Sequence, residues 1–153
     1  MNEIDYRWTD GYDKDFQLFY IKTEEYYSKI VGGTEKRSGF IPHNLSESIS
    51  DVLIARLDDI SVGCTGFKPY SDRDVEIKRV WVEPNYRGRH IATEMMNIIE
   101  NKAREMGFSR AILQTRSIMM DAVSLYKERG YELIENYPPY DKLDGAMCMA
   151  LKL

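Results

Sequence analysis

Cysteine is nearly absent. Cys64 and Cys148 lie far apart and form no C-x-x-C pair, so neither a disulfide framework nor a zinc site is indicated, and both read as buried free thiols. No apolar run approaches the roughly 18 residues that a membrane span needs. The N-terminus, MNEIDYRWTD, is acidic and polar and lacks the apolar core of a secretory signal, so a soluble, cytoplasmic protein is expected, with no membrane partner. Basic charge is not in excess either. A net charge of −4 argues against nucleic acid, whose binding draws on clustered Lys and Arg, and mildly favours a cationic small substrate. What is present is 43% hydrophobic and 30% charged residues in 153, the profile of one globular domain spanning 1–153 with a real core.

After a short apolar start at Ile4 and Tyr6, TDGYDKDFQLFYIKTEEYYSKIVGG has Phe16, Phe19, Tyr20, Tyr27 and Ile30 near the helical period, and the pair Gly32–Gly33 ends it. TEKRSGFIPHNLSES is polar and reads as a long connection. DVLIARLDD, SVGCTGFKPY and DVEIKRVWVEP alternate as strands, the first two about an Asp-Asp turn, which predicts an antiparallel meander. A helix over Ile91 to Met106 aligns Ala92, Met95, Met96, Ile99, Ala103 and Met106, with Gly107 closing it. RAILQT follows as a strand. Strand, helix and strand in that order make a right-handed βαβ unit with parallel strands. A second helix, SIMMDAVSLYKERG, takes Ser117 as its cap and stops at Gly130; YELIENYPPYDKLDGAMCMALKL then reads as two strands flanking a Tyr-Pro-Pro-Tyr loop. The class is α+β.

The informative stretch is VWVEPNYRGRHIATEMMNIIENKAREMGF, Val80 to Phe108, where a strand turns into a helix at a knot of basic residues. A helix N-terminus offers unpaired backbone N–H groups and the positive end of the macrodipole. Arg87 and Arg89 add permanent charge, and Gly88 lets a ligand approach the backbone. A phosphate is the natural guest. Neither the Walker pattern nor the dinucleotide fingerprint is present to say which one.

The stretch resembles the acyl-CoA-binding segment of the GNAT superfamily of N-acetyltransferases, V-x-P-x-x-R-G-x-G-[IV]-[AG]. Val82, Pro84, Arg87, Gly88, Ile91 and Ala92 match, and His90 stands where the second glycine usually lies. AVSLYKERGYELI resembles the second motif, A-x-x-L-Y-x-x-x-G-[FY], through Ala122, Leu125, Tyr126, Gly130 and Tyr131, with Met119 in the place of a common Asn. The resemblance implies a GNAT-like mixed, mostly antiparallel sheet with a parallel βαβ crossover flanked by helices. It implies acetyl-CoA as cosubstrate and no metal, with the backbone N–H groups from Arg87 through Gly88, Arg89, His90, Ile91 and Ala92 to Thr93 holding the CoA pyrophosphate. Backbone groups of Val80 and Val82 are implied against the pantetheine arm, one N–H facing the thioester carbonyl. A homodimer is possible on the same ground.

Acetyl transfer to an amine needs a base and an acid, because an alkylammonium has a pKa of about 10.4 and a thiol about 8.5. The resemblance places Glu76 as general base, acting directly or through water, and Tyr126 as general acid at the CoA sulfur. Without the family, Glu76 reads as a charge on a strand's wet face and Tyr126 as a core aromatic. Transfer within a ternary complex needs no cysteine nucleophile. Tyr20, Tyr27, Tyr137 and Tyr140 are candidates for an aromatic acceptor wall. The acceptor is expected to be a small-molecule amine; a protein lysine or N-terminal amine, and a non-catalytic acyl-CoA-sensing module, stay open.

Overall fold

The computed structural model describes residues 3–31 and 48–153. The order is β1 (Asp5–Thr9), α1 (Lys14–Val31), β2 (Asp51–Leu57), β3 (Ile60–Pro69), β4 (Asp74–Val82), α2 (Ile91–Glu105), β5 (Arg110–Arg116), α3 (Met120–Glu128), β6 (Glu132–Ile134) and β7 (Ala146–Lys152). They form one seven-stranded sheet ordered β1-β2-β3-β4-β5-β7-β6. Only β4 and β5 run parallel, as a βαβ connection requires. The expected α+β class and meander are therefore found. The Gly32–Gly33 stop and all of the polar connection over residues 34–48 but Ser48 lie outside the described residues.

Three details differ from the sequence reading. The short apolar start is an edge strand, β1, paired antiparallel with β2. Ser117 does not cap α3: Met119 occupies the N-cap without a side-chain bond, its own N–H donating to the Arg116 carbonyl at 2.9 Å. On α2 the stripe is correct in its centre, but Met106 is 47% exposed, and Ile91 belongs to the buried set instead. Gly107, at φ 91°, does close this helix in the left-handed region.

Period-2 alternation sorts the strands into two faces. Phe67, Val75, Ile77, Ala111, Leu113 and Met149 pack with Met96, Ile99 and Ala103 of α2 and with Tyr126 of α3. The opposite face packs Ile54, Cys64 and Trp81 against Phe16 and Phe19 of α1. Beside them on that face, Ile112, Cys148 and Ala150 meet Tyr137 and Tyr140 of the β6–β7 loop. Both cysteines are buried and free, and burial pushes the Cys64 thiol well up, so it is inert.

Two irregularities interrupt the centre of the sheet. Between the pairs Gly66–Lys78 and Cys64–Trp81, β4 carries one residue more than β3. This is a β-bulge, and Arg79 takes it up at φ 59°. The Cys64 thiol and Thr65 hydroxyl donate to the Arg79 and Lys78 carbonyls, at 3.4 and 3.3 Å. The second irregularity is a split. Parallel pairing joins only Asp74–Glu76 to Arg110–Ile112. A two-bond contact from Arg110 to the Asp74 carboxylate, at 3.1 and 2.9 Å, holds that end closed.

Candidate active site

Beyond the clamp the two strands diverge, and a cavity of about 790 Å3 opens between Ile77–Val82 on one side and Leu113–Arg116 on the other. One mouth is the first turn of α2, with Gly88, His90, Ile91, Ala92 and Thr93 in its wall; Met119 and Tyr126 of the α3 segment form another wall. Glu76, Lys78 and Arg79 of β4 also line it, with Tyr27 of α1.

The turn into α2 begins with one turn of 3-10 helix at Pro84–Tyr86, whose proline supplies the fixed φ of a helical start. Gly88 follows at φ 81°, with open space where a side chain would stand. His90 is the N-cap of α2 at φ 62° and ψ 22°, a left-handed conformation that a glycine adopts without penalty and that histidine adopts more often than most residues. Glu94 N–H returns to the His90 carbonyl at 3.0 Å. No backbone acceptor among the described residues takes the N–H groups of residues 88–93, so the turn presents a set of free donors at the positive end of a 15-residue helix. These donors fit a pyrophosphate. Trp81 adds a second unfilled donor, a buried Nε1 in the cavity wall with no partner among the described residues.

The two arginines of the turn behave differently from expectation. Arg87 folds back, its Nε donating to the Val82 carbonyl at 2.8 Å and its guanidinium lying 4.8 Å from the Trp81 ring. It therefore ties the turn to the strand end and occupies the Val82 carbonyl. Arg89 sits over Tyr86, 5.4 Å away, and does not line the cavity. Val80 and Val82 both line it, as do Gly88, His90, Ile91, Ala92 and Thr93.

Glu76 is not on a wet face. It is 3% exposed, and Tyr137 donates to its Oε2 at 2.6 Å while Lys78 Nζ stands 3.4 Å from Oε1. Lys78 in turn donates to the Tyr140 hydroxyl at 2.6 Å. Burial lowers Lys78 to about 8, against the opposing pull of Glu76. Burial, and then the Glu76 charge, raise Tyr137 well above the usual phenol range, so it stays a donor. Tyr137 and Tyr140 are thus buried supports of the carboxylate and the amine, and of the four tyrosines expected in an acceptor wall only Tyr27 lines the cavity; Tyr20 and Tyr27 flank the Arg79 guanidinium at 4.3 and 5.9 Å. Arg79 also donates to Thr23 at 3.0 Å and pairs with Glu24, pinning the bulge to α1.

Tyr126 is 7% exposed and lines the cavity, with its ring 5.8 Å from Tyr131. It is both the core aromatic and a wall of the site. Burial raises its pKa, so the phenol keeps its proton at neutral pH. Sequence reasoning passed over Lys78 and Trp81. The signal for Lys78 was the spacing from Glu76: residues i and i+2 on a strand share a face.

The family model described as Acetyltransferase (GNAT) family matches residues 7–131. The chain is 34% identical over 77 residues to the uncharacterized N-acetyltransferase YjgM of Escherichia coli, covering 48% of this chain and 46% of that protein. It is 30% identical over 89 residues to the IAA acetyltransferase of Azospirillum brasilense, covering 58% of each. The chain thus spans about half the length of the curated relatives it matches. The structure of PaiA N-acetyltransferase from Thermoplasma acidophilum, in complex with coenzyme A, superposes with a TM-score of 0.75 at 17% identity, covering 99% of each chain. At that identity the likeness is one of fold. With the turn, the split sheet and the second motif in one continuous match over most of its length, the chain belongs to the GNAT family of acetyltransferases.

Proposed function

We propose that the protein transfers an acetyl group from acetyl-CoA to the primary amine of a small molecule, directly, within a ternary complex. The single observation that carries this reading is the split between β4 and β5. One cavity runs from the unpaired amides of the α2 turn to a buried carboxylate and a buried phenol. In this reading the N–H groups of residues 88–93 hold the pyrophosphate, and the backbone of Val80 and Val82 lines the path of the pantetheine arm. Bound there, acetyl-CoA supplies an activated acyl carbon.

The protein's own groups do the rest. Glu76 attracts the acceptor's ammonium and takes its proton, since Tyr137 holds the carboxylate in one orientation. Tyr126 donates a hydrogen bond to the sulfur as the C–S bond breaks. A phenol is a weaker acid than a thiol, with model values of about 10 and 8.5, so Tyr126 steadies the leaving group and passes a proton only in concert with amine deprotonation. Neither cysteine takes part. The burial of Glu76 and Lys78 supports a small acceptor, because the amine must reach side chains that are 3% and 7% exposed.

The test is release of CoA thiol from acetyl-CoA across amino acids, polyamines, aminoglycosides and lysine peptides, with calorimetric binding of acetyl-CoA in parallel. Release with one class of small amine is expected. Turnover confined to lysine peptides would replace the small acceptor by a protein, and tight binding without any turnover would favour a sensing module.

A further inference from the structure

Resting on that reading of the cleft, we propose that Lys78 completes the base: the proton that Glu76 takes from the acceptor ammonium passes to the Lys78 amine, and the two side chains work as one relay. Glu76 and Lys78 are residues i and i+2 of β4, so they point from the same face, immediately before the bulge at Arg79. Both line the cavity, at 3% and 7% exposure. Tyr137 engages Oε2 of the carboxylate, which leaves Oε1 toward Lys78 Nζ at 3.4 Å. The amine in turn rests on the Tyr140 hydroxyl.

The magnitudes favour such a hand-over. A carboxylate of ordinary pKa, about 4.3, is roughly six units less basic than an alkylamine at about 10.4, a factor of about a million against keeping the proton. An amine as second station removes most of that gap. Lys78, lowered to about 8 by burial, is neutral in about a tenth of molecules at pH 7 and in half of them near pH 8, and is still basic enough to accept. After burial, Glu76 and Arg79 on its own strand and Lys68 on β3 act on it, and Tyr140 and Tyr137 of the β6–β7 loop stand against the amine and against Glu76. Glu24 of α1 faces Arg79, and Cys148 of β7 lies against Tyr137.

The balance closes. The ammonium's first proton moves to Glu76 Oε1 and then to Lys78 Nζ, and it leaves to water after turnover. The freed nitrogen lone pair forms the C–N bond as the C–S pair departs with sulfur. The nitrogen's second proton reaches the thiolate by way of Tyr126, which ends as it began.

Arginine separates a relay from a mere ion pair, because it keeps the cation beside Glu76 but cannot give up a proton. The experiment compares the native chain with K78R and K78M in three readouts: acetyl-CoA affinity, CoA release over the amine panel from about pH 6.5 to 9.5, and titration of the lysine Cε–Nζ NMR signals. Both variants should bind acetyl-CoA as the native chain does and lose turnover by about a hundredfold or more. Native turnover should rise with pH and level near about 8, with the signal missing from K78R titrating at the same pH. Native-like turnover in K78R, or a Lys78 signal still protonated above about pH 9.5, overturns the relay. Should no amine in the panel be turned over, the NMR midpoint decides. Loss of acetyl-CoA binding in the native chain would instead sink the transferase reading, and the relay with it.

Discussion

Tyr126 shows how little a single residue type decides. Its place on an amphipathic helix predicts a core aromatic, and its motif predicts a site residue; it packs against Tyr131 in the core and also lines the cavity. Tyr126→Phe keeps the ring and removes the hydroxyl, so turnover should fall by about tenfold to a hundredfold while acetyl-CoA affinity stays nearly constant, as steady-state kinetics beside calorimetry will show. Arg87→Ala should act differently from a lost phosphate ligand. Its guanidinium holds the end of β4 through Val82 and covers Trp81, so the variant should lose both acetyl-CoA affinity and thermal stability. A drop in affinity alone would return Arg87 to the role of a simple charge. Lys78 also links folding to pH. Its folded pKa lies below its model value of 10.5, so the unfolded chain binds more protons between about pH 8 and 10.5. The cost of burying the ammonium is full below about 8 and fades toward 10.5, so native stability should gain on that of K78M across that window in urea titrations.

At the scale of elements, the site exists because two regular structures are interrupted. The bulge at Arg79 lets Glu76, Lys78 and Trp81 share a face although one residue has been inserted between them. The loss of pairing after Glu76 opens the cleft. The turn into α2 carries a cost of its own, since a side chain in the left-handed region costs roughly 1 kcal/mol relative to glycine. His90→Gly should therefore raise the melting temperature by about 2–4 °C, less whatever the looser unfolded chain takes back. It should also tighten acetyl-CoA binding by removing a side chain from the cavity wall. A lowered melting temperature would show that the imidazole makes a contact worth more than the strain.

Across the whole molecule, α2 and α3 must hold their spacing if the two walls of the cavity are to stay in register. A buried clamp does this away from the site. Glu100 of α2 pairs with Arg129 at the end of α3 and accepts from the Tyr131 hydroxyl at 3.0 Å, while Arg129 also reaches Asn97 at 2.8 Å. Glu100→Ala removes the carboxylate partner of a half-buried guanidinium that keeps Asn97 and the Thr93 carbonyl, so the loss should be about 1.5–3 kcal/mol. Urea denaturation should show a loss of that order. The acetyl-CoA affinity of the remaining folded protein should be little changed, since Glu100 does not line the cavity.

Much of this was legible along the chain. Apolar periodicity located the helices and most strands, Gly107 and Gly130 marked the ends of α2 and α3, and the Arg87–Thr93 stretch announced a turn into a helix whose first amides find no backbone acceptor among the described residues. Those signals are local: a helix stripe, a strand alternation or a free amide at a helix start depends on residues a few positions away. The edge strand β1 escaped because a five-residue segment with little burial carries a weak pattern. The partnership of Glu76 with Tyr137 escaped for another reason, since it joins residues 61 apart. Nothing in an alternating strand tells a wet face from a face covered by a distant loop. Spacing alone determined that the chain would make an α+β fold with a strand-to-helix turn at Arg87; only the tertiary structure decided that Glu76 would be buried, that Lys78 would be its neighbour in a lowered-pKa pocket, and that the arginines would brace the turn, because burial and charge pairing are set by what the sheet brings together across sequence.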